Sequence, residues 1–175
     1  MPSRSRSARP RKRIGVADTT FARWDMGAAA ADELRGRGGD FDVLRVTVPG
    51  IKDLPVACKK LIEEQGCDVV LACGYVGGAP IDRECANVAD HALQQVQLMT
   101  NTHVLGVFVY ETEAADEREL ARLCDRRTRE HAVNAWRLLF KPEELAAMAG
   151  TGQRQGFADA GRIEVDLRAD RDRRR

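Results

Sequence analysis

Four short apolar runs punctuate the chain, each followed by a stretch with helical spacing. The runs are Ile14–Ala17, Asp42–Val48, Asp68–Cys73 and Val104–Tyr110. They are short and rich in Val, Leu and Ile, with Arg45 and Thr47 interrupting the second, and their alternation with helices predicts a parallel sheet covered on both faces. Between them, Met26, Ala30 and Leu34 predict a helix over 25–35. Leu54, Ala57, Cys58, Leu61 and Ile62 predict one over 54–65, stopped by Gly66. Cys85, Val88, Ala89, Ala92, Val96 and Met99 form the expected apolar stripe of a helix over 81–100. Leu120, Cys124, Ala135 and Leu138 mark the inward stripe of a long helix over 116–139, and Pro142 opens a short one ending near Gly150.

Strand and helix thus alternate four times, the pattern of a three-layer α/β domain with right-handed crossovers. Ligands of such open sheets sit outside the carboxyl ends of the strands. Four loops are therefore candidates: 18–24, 49–53, 74–80 and 111–114.

The loop after the second run is the most distinctive. Thr47-Val48-Pro49-Gly50-Ile51-Lys52-Asp53-Leu54-Pro55 ends a strand, turns tightly and opens a helix with an acid at its N-terminus. Asp53 has two readings, a helix cap worth about 1 kcal/mol or an acceptor for ligand hydroxyls. Lys52 and the backbone of Ile51 share the same corner. Gly74, Gly77 and Gly78, with Tyr75 and Val76 between them, let a backbone approach a ligand closely, but they form neither a dinucleotide fingerprint nor a phosphate loop.

Composition sharpens the picture in one respect. The 175 residues include only nine aromatics (five Phe, two Trp, two Tyr). Phe21, Trp24, Tyr75 and Tyr110 fall at or just past strand ends, which suits a planar heterocycle; closing the edge of the core is the alternative. On the long helix, Arg127 and His131 lie four residues apart on or beside the inward stripe. A buried Arg demands either a structural carboxylate partner or an anionic or carbonyl-rich ligand. Arg126 and Arg129 are expected to point outward.

Charge excludes little. The 28 Lys and Arg balance 27 Asp and Glu, for a net charge of +1. No apolar run approaches the roughly 20 residues of a membrane span, and the basic N-terminus has no secretory apolar stretch. Cytoplasm is the expected compartment, and no membrane partner is expected. Residues 1–12 read as a disordered basic arm and 162–175 as a charged tail, flanking one domain over 13–161. The arm has no interleaved aromatics for base stacking, so nucleic acid is not the expected partner. Five cysteines without a C-x-x-C, and three scattered histidines (His91, His103, His131), predict buried thiols rather than a zinc site.

Longer motifs resemble one family. Asp18-Thr-Thr-Phe-Ala-Arg23 with Asp25-Met26, the run Thr47 to Leu61, and Gln97-Leu-Met-Thr-Asn101 are similar to archaeal-type riboflavin synthases. So are Arg126-Arg127 with Glu130-His131-Ala132, and Ala149-Gly150 through Phe157. That family is in turn similar to lumazine synthase, whose second-strand motif carries Glu where Asp53 stands. The resemblance implies a flavodoxin-like fold with a four-stranded parallel sheet in the order 2-1-3-4, and a homopentamer with interfacial active sites. It implies dismutation of two 6,7-dimethyl-8-ribityllumazine molecules, without an organic cofactor and with Mg2+ as an optional aid. Phe21 would stack on the pteridine-like ring. Ile51, Lys52 and Asp53 would hold ribityl hydroxyls, and Gly74, Tyr75 and Val76 would meet the pyrimidine edge. Arg127 and His131 would reach a site from the long helix, with His131, Asp53 or Glu111 as general base. The third-strand loop, Gly78-Ala79-Pro80-Ile81-Asp82, lacks the His of lumazine synthase. Lumazine synthase and a non-catalytic lumazine or flavin carrier remain the alternatives.

Overall fold

The computed structural model describes residues 11–154 and 157–165. Four parallel strands form one sheet: β1 (Lys12–Thr19), β2 (Phe41–Val48), β3 (Val69–Val76) and β4 (Val104–Tyr110). Their order is β2-β1-β3-β4, as expected. The helices are α1 (Met26–Arg35), α2 (Leu54–Glu63), α3 (Pro80–Thr100), α4 (Glu117–Phe140) and the short α5 (Pro142–Ala147). Single 3-10 turns, Ile51–Asp53 and Glu111–Glu113, follow β2 and β4.

The sheet separates two cores. On one face Ile14, Val16, Val69, Leu71, Cys73 and Val107 meet Met26, Ala30 and Leu34 of α1 and Leu120, Cys124, Ala132 and Ala135 of α4. On the other, Ala17, Val70, Ala72 and Val76 meet Leu54, Cys58 and Leu61 of α2 and Ala86, Ala89 and Leu93 of α3. Successive β3 side chains feed opposite cores, so all eight of its residues are buried. This is why its sequence reads as a continuous apolar run.

Several expectations are corrected. Gly74, Tyr75 and Val76 belong to β3 and not to the loop, which begins at Gly77. Gly74 does not end the strand because it makes room for a neighbour: a Cβ there would lie 2.7 Å from the Phe108 ring on β4. Asp18 and Thr19 likewise extend β1 and are buried. Lys12 already belongs to β1, while residues 1–10 of the basic arm lie outside the described residues, as do 166–175 of the tail. On α3 the buried stripe is Ala86, Ala89, Leu93 and Val96; Val88 and Met99, expected inside, are exposed. Two apolar stripes run along this helix and only one faces the sheet.

Four of the five cysteines are buried, and none is in a disulfide. Burial pushes the Cys58 thiol up to about 12, and Cys67 and Cys124 to about 11. Cys85 is half-buried. Among the described residues no helix is long and apolar enough to cross a membrane.

One polar cluster lies at the carboxyl end of β1. Asp18 is 4 % exposed and accepts from Arg45 Nη2 at 2.5 Å and Thr47 Oγ1 at 2.7 Å. The same Arg45 nitrogen reaches Asp25 Oδ1 at 2.5 Å, and Asp25 caps α1 by accepting from the Ala28 N–H at 2.9 Å. Gly27 packs against this pair: a Cβ would collide with Asp18 Oδ2 and with Arg45. Neither can withdraw without stranding the buried carboxylate. Gly27→Ala is expected to destabilise the fold by about 1–3 kcal/mol, as overpacking does, despite the better helix propensity of Ala. Urea denaturation measures this, and unchanged or raised stability would show that the cluster yields freely.

Candidate active site

Three of the four strand-to-helix junctions share a device. Asp53 Oδ2 accepts from the Gly50 N–H at 3.2 Å, Asp82 Oδ2 from the Ala79 N–H at 3.1 Å, and Glu113 Oε2 from the Tyr110 N–H at 3.3 Å. In each, an acid three residues on turns back to satisfy a backbone donor that the ending strand leaves unpaired. Asp53 therefore closes its own turn rather than capping α2 through its side chain. It remains exposed, with Lys52 beside it, while Ile51 is buried beneath.

The loop after β1 lies against this turn. The Thr20 N–H donates to the Val48 carbonyl at 2.9 Å, and the Thr20 hydroxyl to the Pro49 carbonyl at 3.2 Å. Phe21, 53 % exposed, projects over the rim. Its ring packs on Tyr75 with centroids 5.7 Å apart, and a Cβ on Gly77 would come within 3.5 Å of it. Tyr75 is thus the floor under Phe21 and not a rim residue. Val76 faces the core. If the β3 end offers a ligand anything, it is backbone, at 74–78.

Glu111 ties three loops together. One carboxylate oxygen accepts from the Gly78 N–H at 2.8 Å and the other from Arg23 at 3.3 Å; Arg23 also pairs with Glu117. The Tyr75 hydroxyl sits close to Arg23 and Glu111. Burial raises its pKa first, with Glu111 adding to the rise and Arg23 opposing it. Sequence reasoning missed Arg23 and the Gly78–Glu111 bond. Only the motif Asp18–Arg23 drew attention to the former, and contacts across 88 and 33 residues leave no local signal.

Arg127 and His131 lie on the other side of the Glu111–Glu113 turn. Arg127 is 4 % exposed, and its Nη1 donates to Glu113 at 2.6 Å and to the Phe108 carbonyl at 2.7 Å. The carboxylate partner foreseen as one alternative is therefore present. The ring of Phe157 lies 4.8 Å from the guanidinium carbon. Beside them is a cavity of about 270 Å3 lined by Asn87, Asp90, Tyr110, Arg127, His131 and Phe157. The His131 Nδ1 is buried and has no hydrogen-bond partner among the described residues. Arg126 is exposed, as expected; Arg129 turns to Asp32 on α1 at 2.8 Å.

The suspected residues therefore form two groups. Phe21, the 51–53 turn, the β3 end and Glu111 make one rim; Arg127, His131 and Phe157 make a second cluster. Among the described residues no three His, Cys, Asp or Glu side chains converge to hold a metal.

Burial lowers the His131 pKa, Arg127 lowers it further, and Glu130 opposes them. The neutral imidazole is thus favoured in the fold, while the unfolded chain takes up its proton near pH 6.5. The stability this contributes is complete above about pH 6.5 and is lost as pH falls through the lower folded value. His131→Gln should flatten that part of the stability profile between pH 7 and 5, measured by denaturation across the range. An unchanged slope would mean that His131 is as solvated in the fold as outside it.

The model of the 6,7-dimethyl-8-ribityllumazine synthase family matches residues 11–143. A relative from Methanothermobacter thermautotrophicus is 56% identical over 149 residues, which is 85% of this chain and 97% of its own. One from Archaeoglobus fulgidus is 52% identical over 151 residues, covering 86% and 98%. One from Aeropyrum pernix is 44% identical over 154 residues, covering 87% and 99%. All three are named riboflavin synthase. A sheet in this order, a rim built on these motifs and matches of this extent place the chain in the 6,7-dimethyl-8-ribityllumazine synthase family, beside its archaeal members named riboflavin synthase.

Proposed function

We propose that this chain is a riboflavin synthase, a transferase that moves a four-carbon unit between two molecules of 6,7-dimethyl-8-ribityllumazine. The products are riboflavin and 5-amino-6-ribitylaminouracil. The observation that carries this reading is the 52–56% identity to relatives of that name over nearly their whole length. The rim is consistent with it. Phe21 is a half-exposed ring on a fixed floor, suited to stacking a pteridine-like bicycle. The exposed Asp53 and the backbone of Ile51 and Lys52 supply donors and acceptors for a polyol chain.

The chemistry asks little of side chains. The C7 methyl of the substrate is acidic because its carbanion delocalises into the ring. A base takes that proton, and the carbanion adds to a second lumazine activated by water or hydroxide. The dismutation balances without an outside oxidant or reductant, so no organic cofactor is invoked. Holding two reactants in the productive orientation can supply about 7–11 kcal/mol. Of the three base candidates, Glu111 is engaged through both oxygens and Asp53 through one. His131 lines a cavity, its buried Nδ1 has no hydrogen-bond partner among the described residues, and burial favours the neutral form a base requires. We assign it that role, and Glu111 that of a clamp on the rim.

The two groups of residues point to assembly, with the His131 cluster of one subunit completing the Phe21 rim of the next. A pentamer is the assembly we infer. The outward stripe of α3, with Ile81, Val88 and Met99 exposed, supports a buried interface on that helix.

Incubating the full-length chain with 6,7-dimethyl-8-ribityllumazine alone should give riboflavin fluorescence that grows with time, from a species sedimenting as a pentamer. Tight binding without turnover would make it a carrier. Lumazine formed only from the pyrimidine and a butanone phosphate would make it a lumazine synthase, and a single-chain mass would overturn the interfacial site. Asp53→Ala should raise KM severalfold while costing only about 1 kcal/mol of stability. Wild-type kinetics in a strongly destabilised variant would show that the carboxylate serves its turn alone.

A further inference from the structure

Phe157 belongs to the cluster of Arg127 and His131, and its place is unusual. It is the sole aromatic after Phe140. It lies outside any helix or strand and is 59 % exposed, yet its ring is set 4.8 Å from the guanidinium carbon of Arg127. Arg127 cannot turn, because Glu113 and the Phe108 carbonyl hold one nitrogen at 2.6 and 2.7 Å. The guanidinium is therefore a rigid shelf under the ring. Phe157 lines three cavities, one of them, of about 380 Å3, against Asn134 and Arg137. A second, of about 270 Å3, contains His131 with Asn87 and Asp90. The third, of about 560 Å3, contains Arg122 and Arg126 with Glu113.

The matched spans add an independent observation. The family model, described as lumazine synthase, ends at residue 143. The match to the Methanothermobacter thermautotrophicus relative covers 149 residues of this chain, so it extends at least to residue 149. Riboflavin synthesis differs from lumazine synthesis in holding a second bicyclic ring in place of a short phosphate ester. An exposed ring on the fixed Arg127 guanidinium, outside the span of the lumazine synthase model, meets that requirement.

We propose that Phe157 is a substrate-binding residue, the stacking platform for the second of the two lumazine rings, held at its angle by the Arg127 shelf. This rests on the riboflavin synthase reading. Arg127 is then a positioning residue acting through Phe157, and Glu113 sets Arg127. The cation behind the ring fixes the platform by a cation–π contact, and the electron-poor pteridine stacks on the ring surface that solvent reaches. His131 lines the smallest of these cavities together with Phe157.

The test uses the full-length chain with Phe157→Ala and Phe157→Tyr. Steady-state riboflavin formation is measured beside equilibrium titration with 6,7-dimethyl-8-ribityllumazine, followed by quenching of its fluorescence. Losing one ring stack should weaken binding of one lumazine by about 5- to 100-fold. The Ala variant should therefore show a raised KM, and its titration should keep one tight site of two. The Tyr variant, which retains the ring, should stay within about threefold of wild type. Wild-type KM and two tight sites in the Ala variant would overturn the proposal. So would equal losses in Ala and Tyr accompanied by a lower thermal midpoint, since the ring would then be only packing. A wild-type chain that forms no riboflavin would refute the functional reading instead. The titration arm would still decide whether Phe157 holds a lumazine.

Discussion

The carboxylate of Asp18 is the constraint on which this site rests. It is buried at the end of a central strand, where an unpaired charge would cost several kcal/mol. Arg45 and Thr47 of the neighbouring strand answer it, and Arg45 then reaches Asp25, the cap of α1. One guanidinium thus fixes both ends of the short loop that carries Phe21. That loop is tied on its far side by Thr20 to the Pro49 turn and by Arg23 to Glu111. The rim is set by polar contacts at its margins, which leaves its aromatic surface uncommitted. Gly27 belongs to the same constraint, because any side chain there would force the ion pair apart.

Much of the fold was legible in the pattern of residues. Residues 104–110 form β4 as read, and the long and short C-terminal helices fall within a residue or a few of their expected bounds. The misreadings have physical causes. Gly74 looked like a turn but serves a close approach by Phe108 within a strand. Val88 and Met99 looked like core because α3 carries apolar residues on two faces, and periodicity cannot say which one meets the sheet. For the site, Phe21 and the 51–53 turn stand where the sequence put them. Tyr75 does not, since a strand residue points alternately in and out and its position depends on where the strand ends. The clamp formed by Arg23, Glu111 and Gly78 joins segments far apart in sequence, and only the folded chain reveals it.

The Glu111–Glu113 turn has a divided role. Glu111 faces the Phe21 rim, and Glu113 faces Arg127, so two residues of one 3-10 turn support two different clusters. A shift of this turn would move both at once. In the proposed assembly those clusters belong to active sites of different subunits, and the turn becomes a mechanical link between neighbouring sites.

The burial of the thiols has a practical consequence. A thiol reacts as its thiolate, and burial keeps Cys58, Cys67 and Cys124 protonated far above neutral pH, as it does Cys73. Cys85 alone is partly open, and it sits on α3 at the margin of the core, three residues before the exposed Val88. A maleimide fluorophore would therefore find a single address on the native chain without any cysteine being engineered. The label would stand about one helical turn from Val88, on the helix through which subunits are inferred to meet.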